Sequence, residues 1–231
     1  MPPRKINNGI ESSHTRLGYI LVLFAGIVEL YLGISYLSTG AEADIQFGQL
    51  TLLEGIFALV SLVAIDPIMG KGFSLYPKKF KQLNLTKTAY RTLILLFVMI
   101  VIQILFQIIP LTVRDIDKAL AIAFAGPAEE AFFRGFLMSV FIAIGQNMPK
   151  IEFGERAISF LEITGMAVSG GLFALLHVNY YGDISLMLTV FTAGIILAFF
   201  YWYWRDLTAL ILAHFALNVI VVFQTIGTVS F

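Results

Sequence analysis

The run Gly126-Pro127-Ala128-Glu129-Glu130-Ala131-Phe132-Phe133-Arg134 places two carboxylates and a guanidinium within six residues. Glu130 and Arg134 are four apart, so on a helix they share a face and an ion pair between them is natural. Glu129 is rotated about 100° from Glu130 and faces elsewhere. Two adjacent carboxylates in a low-dielectric setting do not both ionise cheaply. One is expected to pair with Arg134 and the other to serve as a general base. Pro127 lacks a backbone donor, so a kink is expected there, opening space beside the pair. Further along, His177 follows Phe173 by four residues, and Asn218 follows His214 by four. Imidazoles handle protons or bind metals, and amide N–H groups stabilise oxyanions. Interhelical hydrogen bonding would explain any one of these groups, at about 0.6–2 kcal/mol each. Ser, Thr or Gln would do that more cheaply, so the whole set points to a reactive site.

These groups must be positioned by membrane helices. The chain has 231 residues, 58% hydrophobic and 13% charged, with mean hydropathy +0.87. Soluble domains are about 45–50% apolar and about 25% charged, so a water-soluble fold is excluded. Seven stretches approach the roughly 20 apolar residues needed to cross a bilayer. They run from Leu17 to Leu37, Ile45 to Ile65, Thr88 to Leu111, Ala119 to Ile144, Ile163 to Val178, Ile184 to Trp204 and Leu207 to Val229. The fold class expected is all-α, a polytopic transmembrane bundle of about seven (seven to eight) spans forming a single integral-membrane domain over 1–231. A β-barrel is excluded because the apolar runs do not alternate. No cleavable leader is expected, since the residues before Leu17 are polar.

The fifth stretch is short, and Lys150 to Glu162 carries five charges among apolar residues. That segment is expected to be an amphipathic helix lying on the membrane surface. Gly165, Ser169, Gly170 and Gly171 are expected to let neighbouring helices approach closely. On plain span limits His177 lies near the outer end of its span and His214 nearer the inner side of its own. A surface helix before the fifth span would reduce that mismatch. Glu29 and Glu54, inside the first two spans, are expected to be helix–helix contacts or cavity-lining groups.

With the N-terminus cytoplasmic, twelve Lys and Arg fall in inside segments, and only Arg114 and Lys118 fall outside. This asymmetry predicts a cytoplasmic N-terminus and a cytoplasmic Asp66 to Lys87 loop. Equal numbers of basic and acidic residues (15 each) give no global basic field, so no nucleic-acid partner is expected. The absence of cysteine excludes disulfides, thiolate metal sites and a cysteine nucleophile.

Glu-Glu-x-x-x-Arg, Phe-x-x-x-His and His-x-x-x-Asn, in that order on separate spans, resemble the CAAX protease and bacteriocin-processing (CPBP) family of intramembrane endopeptidases. That family includes the type II CAAX prenyl endopeptidases, also called Ras-converting enzymes. All three motifs are complete here, in Glu129, Glu130 and Arg134, in Phe173 and His177, and in His214 and Asn218. The resemblance covers about Ala119 to Asn218, the catalytic-type core. It implies an α-helical endopeptidase in which Glu129 activates a water that His177 helps hold, while His214 and Asn218 stabilise the oxyanion. Glu130, Arg134 and Phe173 would support, with Glu130 and Arg134 orienting Glu129 or binding a substrate carboxylate. The implied partners are a peptide or prenylated peptide and the lipid bilayer; the oligomeric state is open. The resemblance favours no cofactor and no metal. In the minority reading, Glu129, His177 and His214 would form a zinc triad. Localisation would be the cell membrane in a prokaryote or the endoplasmic reticulum in a eukaryote.

Other intramembrane protease signatures are missing. There is no His-Glu-x-x-His. Ala167-Val168-Ser169-Gly170 lacks the first glycine of a Gly-x-Ser-Gly motif, so Ser169 reads as a packing residue. Tyr180-Tyr181-Gly182-Asp183 lacks the first glycine of Gly-x-Gly-Asp. The alternatives to a protease are a non-catalytic immunity or scaffold member of the same family and, less favoured, a transporter joining Glu29, Glu54, Gln103 and Gln107 to the cluster. The lack of an internal repeat weighs against transport.

Overall fold

The computed structural model describes residues 16–63, 85–106, 115–154, 156–178 and 184–226. Helices α1 (Arg16–Thr39) and α2 (Glu42–Val63) form an antiparallel hairpin. Its small residues let the two backbones touch: a Cβ on Gly33 would lie 2.7 Å from the Leu52 nitrogen, and one on Gly55 would lie 2.8 Å from that of Leu30. Helix α3 is Leu85–Leu105. Helix α4 (Ile116–Glu130) runs directly into a π-helical segment, Ala131–Met138, and then α5 (Ser139–Gly145). A hairpin of β1 (Lys150–Phe153) and β2 (Arg156–Ser159) follows. The chain continues in α6 (Phe160–Leu176), α7 (Ile184–Trp204) and α8 (Leu207–Ile226).

This is an all-α membrane bundle, and its helices fall on the seven expected stretches. Four are long and apolar enough to cross a membrane by themselves: Leu17–Thr39, Asp44–Leu62, Leu85–Leu105 and Leu186–Trp204. Phe160–Leu176 and Leu207–Val222 are apolar but shorter. The span ends expected at Ile65, Leu111 and Val229, like most of the Asp66 to Lys87 loop, lie outside the described residues.

One expectation is overturned. The charged segment after α5 is not an amphipathic surface helix but an antiparallel β-hairpin, with Ile151 opposite Ile158 and Phe153 opposite Arg156. The alternation of Lys150-Ile151-Glu152-Phe153 suits a strand, and Gly154 sits in the turn at φ +60°, where a Cβ is strained. Ser159 then ends β2 and caps α6 with a reciprocal box. Its hydroxyl accepts from the Glu162 N–H (3.2 Å), and Glu162 Oε2 accepts from the Ser159 N–H (2.7 Å).

The helix directions put the starts of α1, α3, α6 and α8 at one end, together with the hairpin. Lys87, Arg91, Lys150, Arg156 and Arg205 lie at that end, while Lys118 lies at the other. Each end is tied by polar contacts. At the hairpin end, Asp206 caps α8 (Ala209 N–H to Oδ1, 3.2 Å) and accepts from Arg91 at 2.8 Å, which fastens α3 to the α7–α8 turn. At the far end Asp115 caps α4 and accepts from the Tyr36 hydroxyl at 2.9 Å. The hydrogen bond from the Asp117 N–H, followed by that from Tyr36, holds the Asp115 carboxyl below its ordinary range.

Candidate active site

Pro127 sits inside α4 without ending it, and the helix passes into the π segment four residues later. A π turn changes the angular register of everything that follows, which is one reason such turns accompany functional sites. Glu129, Glu130 and Arg134 straddle this transition, and all three are buried.

Glu129 lies between the two histidines. Its Oε1 is 3.7 Å from His177 Nε2, and its Oε2 is 3.6 Å from His214 Nε2. The mismatch in depth expected from the span limits is therefore absent. The reason is the length of α6. Its 17 residues rise only about 26 Å at 1.5 Å per residue, short of the roughly 30 Å hydrocarbon core. The helix stops at His177, which is its C-cap, so the imidazole ends inside the bundle.

Each imidazole is held from behind. His177 Nδ1 is 2.8 Å from the Phe173 carbonyl, and a carbonyl only accepts, so Nδ1 carries the hydrogen. His214 Nδ1 is 3.0 Å from Glu130 Oε1, the oxygen that also faces Arg134 Nη1 at 3.1 Å. Glu130 paired with Arg134 is the acceptor, so here too Nδ1 donates. Both rings in their neutral form thus turn a bare Nε2 toward Glu129. The gaps of 3.6 and 3.7 Å exceed a direct hydrogen bond.

Arg134 has no solvent exposure. Its Nη2 donates to the Gly194 carbonyl on α7 at 3.1 Å, and its guanidinium lies 4.6 Å from the Phe173 ring centroid on α6. The Glu130–Arg134 pair expected from the spacing is present. Both side chains are fully buried. Their work is internal: Arg134 joins α4, α6 and α7, and Glu130 fixes His214 on α8. Ser169, expected to pack, donates to the Phe133 carbonyl at 3.2 Å.

Asn218 lies one turn beyond His214, and its Nδ2 donates to the Ile122 carbonyl of α4 at 2.7 Å. Both residues close over Gly126. A Cβ there would lie 3.1 Å from His214 Cγ and 3.2 Å from Asn218 Nδ2, so glycine is what lets α8 approach α4. Sequence reasoning missed this use of Gly126, as it missed the His214–Glu130 contact, which spans 84 residues. It also underrated α1 and α2. Glu29 and Glu54 are buried within electrostatic reach of Glu129, and neither Glu29 oxygen has a hydrogen-bond partner among the described residues. No group of three or more His, Asp or Glu among the described residues is disposed to hold a metal ion.

Helical bundle and site together define a class: a polytopic membrane protein whose buried carboxylate faces two oriented imidazoles. Residues 116–220 match the family model described as Type II CAAX prenyl endopeptidase Rce1-like. An Rce1-like domain, of a family of proteases, is thus found at residues 116–220, a stretch that includes Glu129, Glu130, Arg134, Phe173, His177, His214 and Asn218 but not Glu29 or Glu54. No curated protein and no solved structure gives a match.

Proposed function

We propose that the protein is an intramembrane endopeptidase in which Glu129 and His177 activate a water for attack on a peptide carbonyl. The observation that carries this reading is the Glu129 carboxylate flanked by two Nε2 atoms at 3.7 and 3.6 Å. A water resting against Glu129 and His177 Nε2 meets two acceptors, which turn its oxygen lone pair away from them and toward substrate. As that oxygen bonds to the carbonyl carbon, its proton passes to Glu129. As the C–N bond breaks, Glu129 returns the proton to the leaving amine.

The oxyanion falls to α8. Glu130 fixes the His214 tautomer, so neutral His214 offers only an acceptor at Nε2. Donation to an oxyanion therefore uses the imidazolium, with Glu130 balancing its charge. The Asn218 amide spends one hydrogen on Ile122 and keeps a second for the oxyanion. A single such donor is typically worth about 2.7–4 kcal/mol in the transition state. The Rce1-like match supports peptides ending in a prenylated CAAX sequence as the substrate class. The excess of basic residues at the hairpin end supports a cytoplasmic N-terminus.

The test is cleavage by the purified full chain of prenylated and unprenylated CAAX-type peptides, with and without chelator, beside Glu129→Gln. Wild-type turnover that survives chelation and disappears in the variant is expected. Turnover by Glu129→Gln at the wild-type rate overturns the assignment of the base.

A further inference from the structure

Two buried carboxyls, Glu29 on α1 and Glu54 on α2, take no part in the chemistry above. The packing of the α1–α2 hairpin brings them together. A Cβ on Gly55 would lie 2.8 Å from the Leu30 nitrogen, and one on Gly26 would lie 3.2 Å from the Ala58 Cβ. The two helices therefore touch at residues adjoining Glu29 and Glu54.

Aromatic contacts then bring Glu54 to the site. Lys118 reaches Asp44 at 3.0 Å, so α2 and α4 start at the same end and run parallel. Phe57 stacks on Phe132 with ring centroids 4.0 Å apart, and lies edge-on to Phe133 at 6.1 Å. Glu54 precedes Phe57 by three residues, and Glu129 precedes Phe132 by three. Each carboxyl thus lies about one turn back from the stacked rings, on the same side of its own helix. Glu29 and Glu54 are both within electrostatic reach of Glu129.

What this group lacks is a protein partner. Neither Glu29 oxygen has a hydrogen bond among the described residues. The guanidinium at this depth, Arg134, is taken by Glu130. Ser61 follows Glu54 by seven residues, on the same face and two turns nearer the hairpin end. Its buried Oγ is likewise without a partner among the described residues, as is Glu130 Oε2. Buried polar atoms of this kind are where ordered water binds, each molecule making about three hydrogen bonds. Water both donates and accepts, so it suits a carboxyl with or without its proton. Hydrolysis consumes one water for each peptide bond, and the hydrocarbon around the bundle supplies none.

We propose that Glu29 and Glu54 hold a store of ordered water that refills the nucleophile position at Glu129. They are positioning residues, acting on the attacking water through the waters they retain. The supply role rests on Glu129 being the base of a peptidase; the water site itself does not.

X-ray radiolysis of the full chain in nanodiscs turns bound water into hydroxyl radicals, which oxidise the side chains beside it, and mass spectrometry reads the oxidised residues. Phe57, beside Glu54, should be oxidised several-fold faster than Phe97, which is 68% exposed on α3 but faces acyl chains. Glu29→Leu with Glu54→Leu should bring Phe57 down to the level of Phe97. Glu29→Gln with Glu54→Gln still hydrogen-bonds water and should keep Phe57 labelled. One hydrogen bond to the attacking water is worth up to about tenfold in rate. The leucine pair should therefore lower kcat by about tenfold with KM little changed, and the glutamine pair should recover most of that loss. Phe57 oxidised no faster than Phe97 in wild type overturns the proposal, as does a leucine pair with wild-type labelling or wild-type kcat. A chain that cleaves no peptide yet labels Phe57 only when the carboxyls are present would overturn the peptidase reading and leave the water site standing. Glu54→Leu alone repeats both readouts should the double variant fail to fold.

Discussion

Removing Arg134 should damage the fold far more than removing Glu129, although both changes should stop catalysis. In Arg134→Met the Glu130 carboxylate loses its cation while remaining fully buried, and the Gly194 carbonyl loses its donor. Breaking one side of a buried pair typically costs about 3–5 kcal/mol. For a chain of this size that corresponds to a fall of ~6–20 °C in melting temperature. Glu129 makes no contact with either histidine shorter than 3.6 Å, so Glu129→Gln strands no partner. It should melt within a few degrees of wild type while losing turnover. A double variant separates charge from packing. In Glu130→Gln with Arg134→Met, the glutamine oxygen still accepts from His214 Nδ1, and neither member of the pair leaves a charge behind. Replacing both members of a buried pair is often nearly neutral. Much of the stability lost in the single variant should return, without activity. Melting curves and cleavage rates measured in one detergent decide it. An Arg134→Met protein that melts like wild type, or a double variant no more stable than the single, would refute the pairing argument.

Three further outcomes are expected. Gly126→Ala forces a methyl to within 3.1 Å of His214 and 3.2 Å of Asn218; it should cost about 1–3 kcal/mol of stability and lower kcat more than it raises KM. Because the Asp115 carboxyl is held low in the folded state, its contribution is present at neutral pH and lost as pH falls through its lowered folded value. Asp115→Asn should therefore flatten the acid limb of the melting-temperature profile. Cysteine placed at Lys150 should be shielded from an impermeant thiol reagent in intact cells while cysteine at Lys118 is labelled, and the reverse pattern would invert the topology.

Much of the site was legible because intramembrane charge is expensive, so the few ionisable residues in apolar stretches stood out without structural help. Glu130 and Arg134 could be paired from their spacing alone, since both lie on one helix. What stayed hidden was long-range. Nothing local in Glu130 says that it holds His214, and nothing around Phe132 announces a π turn. The hairpin was misread for a different reason. Lys150 to Glu162 mixes charge with apolar residues, and that mixture was weighed above the period-two alternation and the Gly154 turn, which were the better guides. The depth of His177 then followed wrongly from its span limits, because where α6 begins depends on where β2 ends.

The capped start of α6 has a metrical consequence. Ser159 and Glu162 pin one end of the helix, and His177 is the residue at which it stops, so the 17 residues between act as a ruler measuring the imidazole's distance from the membrane boundary. Adding one residue to such a ruler advances its tip by about 1.5 Å and swings it by about 100°, which carries His177 away from Glu129. Adding a full turn restores the bearing but overshoots in depth by about 5.4 Å. The exposed apolar positions of α6, such as Leu172 and Leu175, can therefore exchange side chains, but its length cannot drift, and insertions belong in the hairpin turn at Gly154, on the far side of the pin.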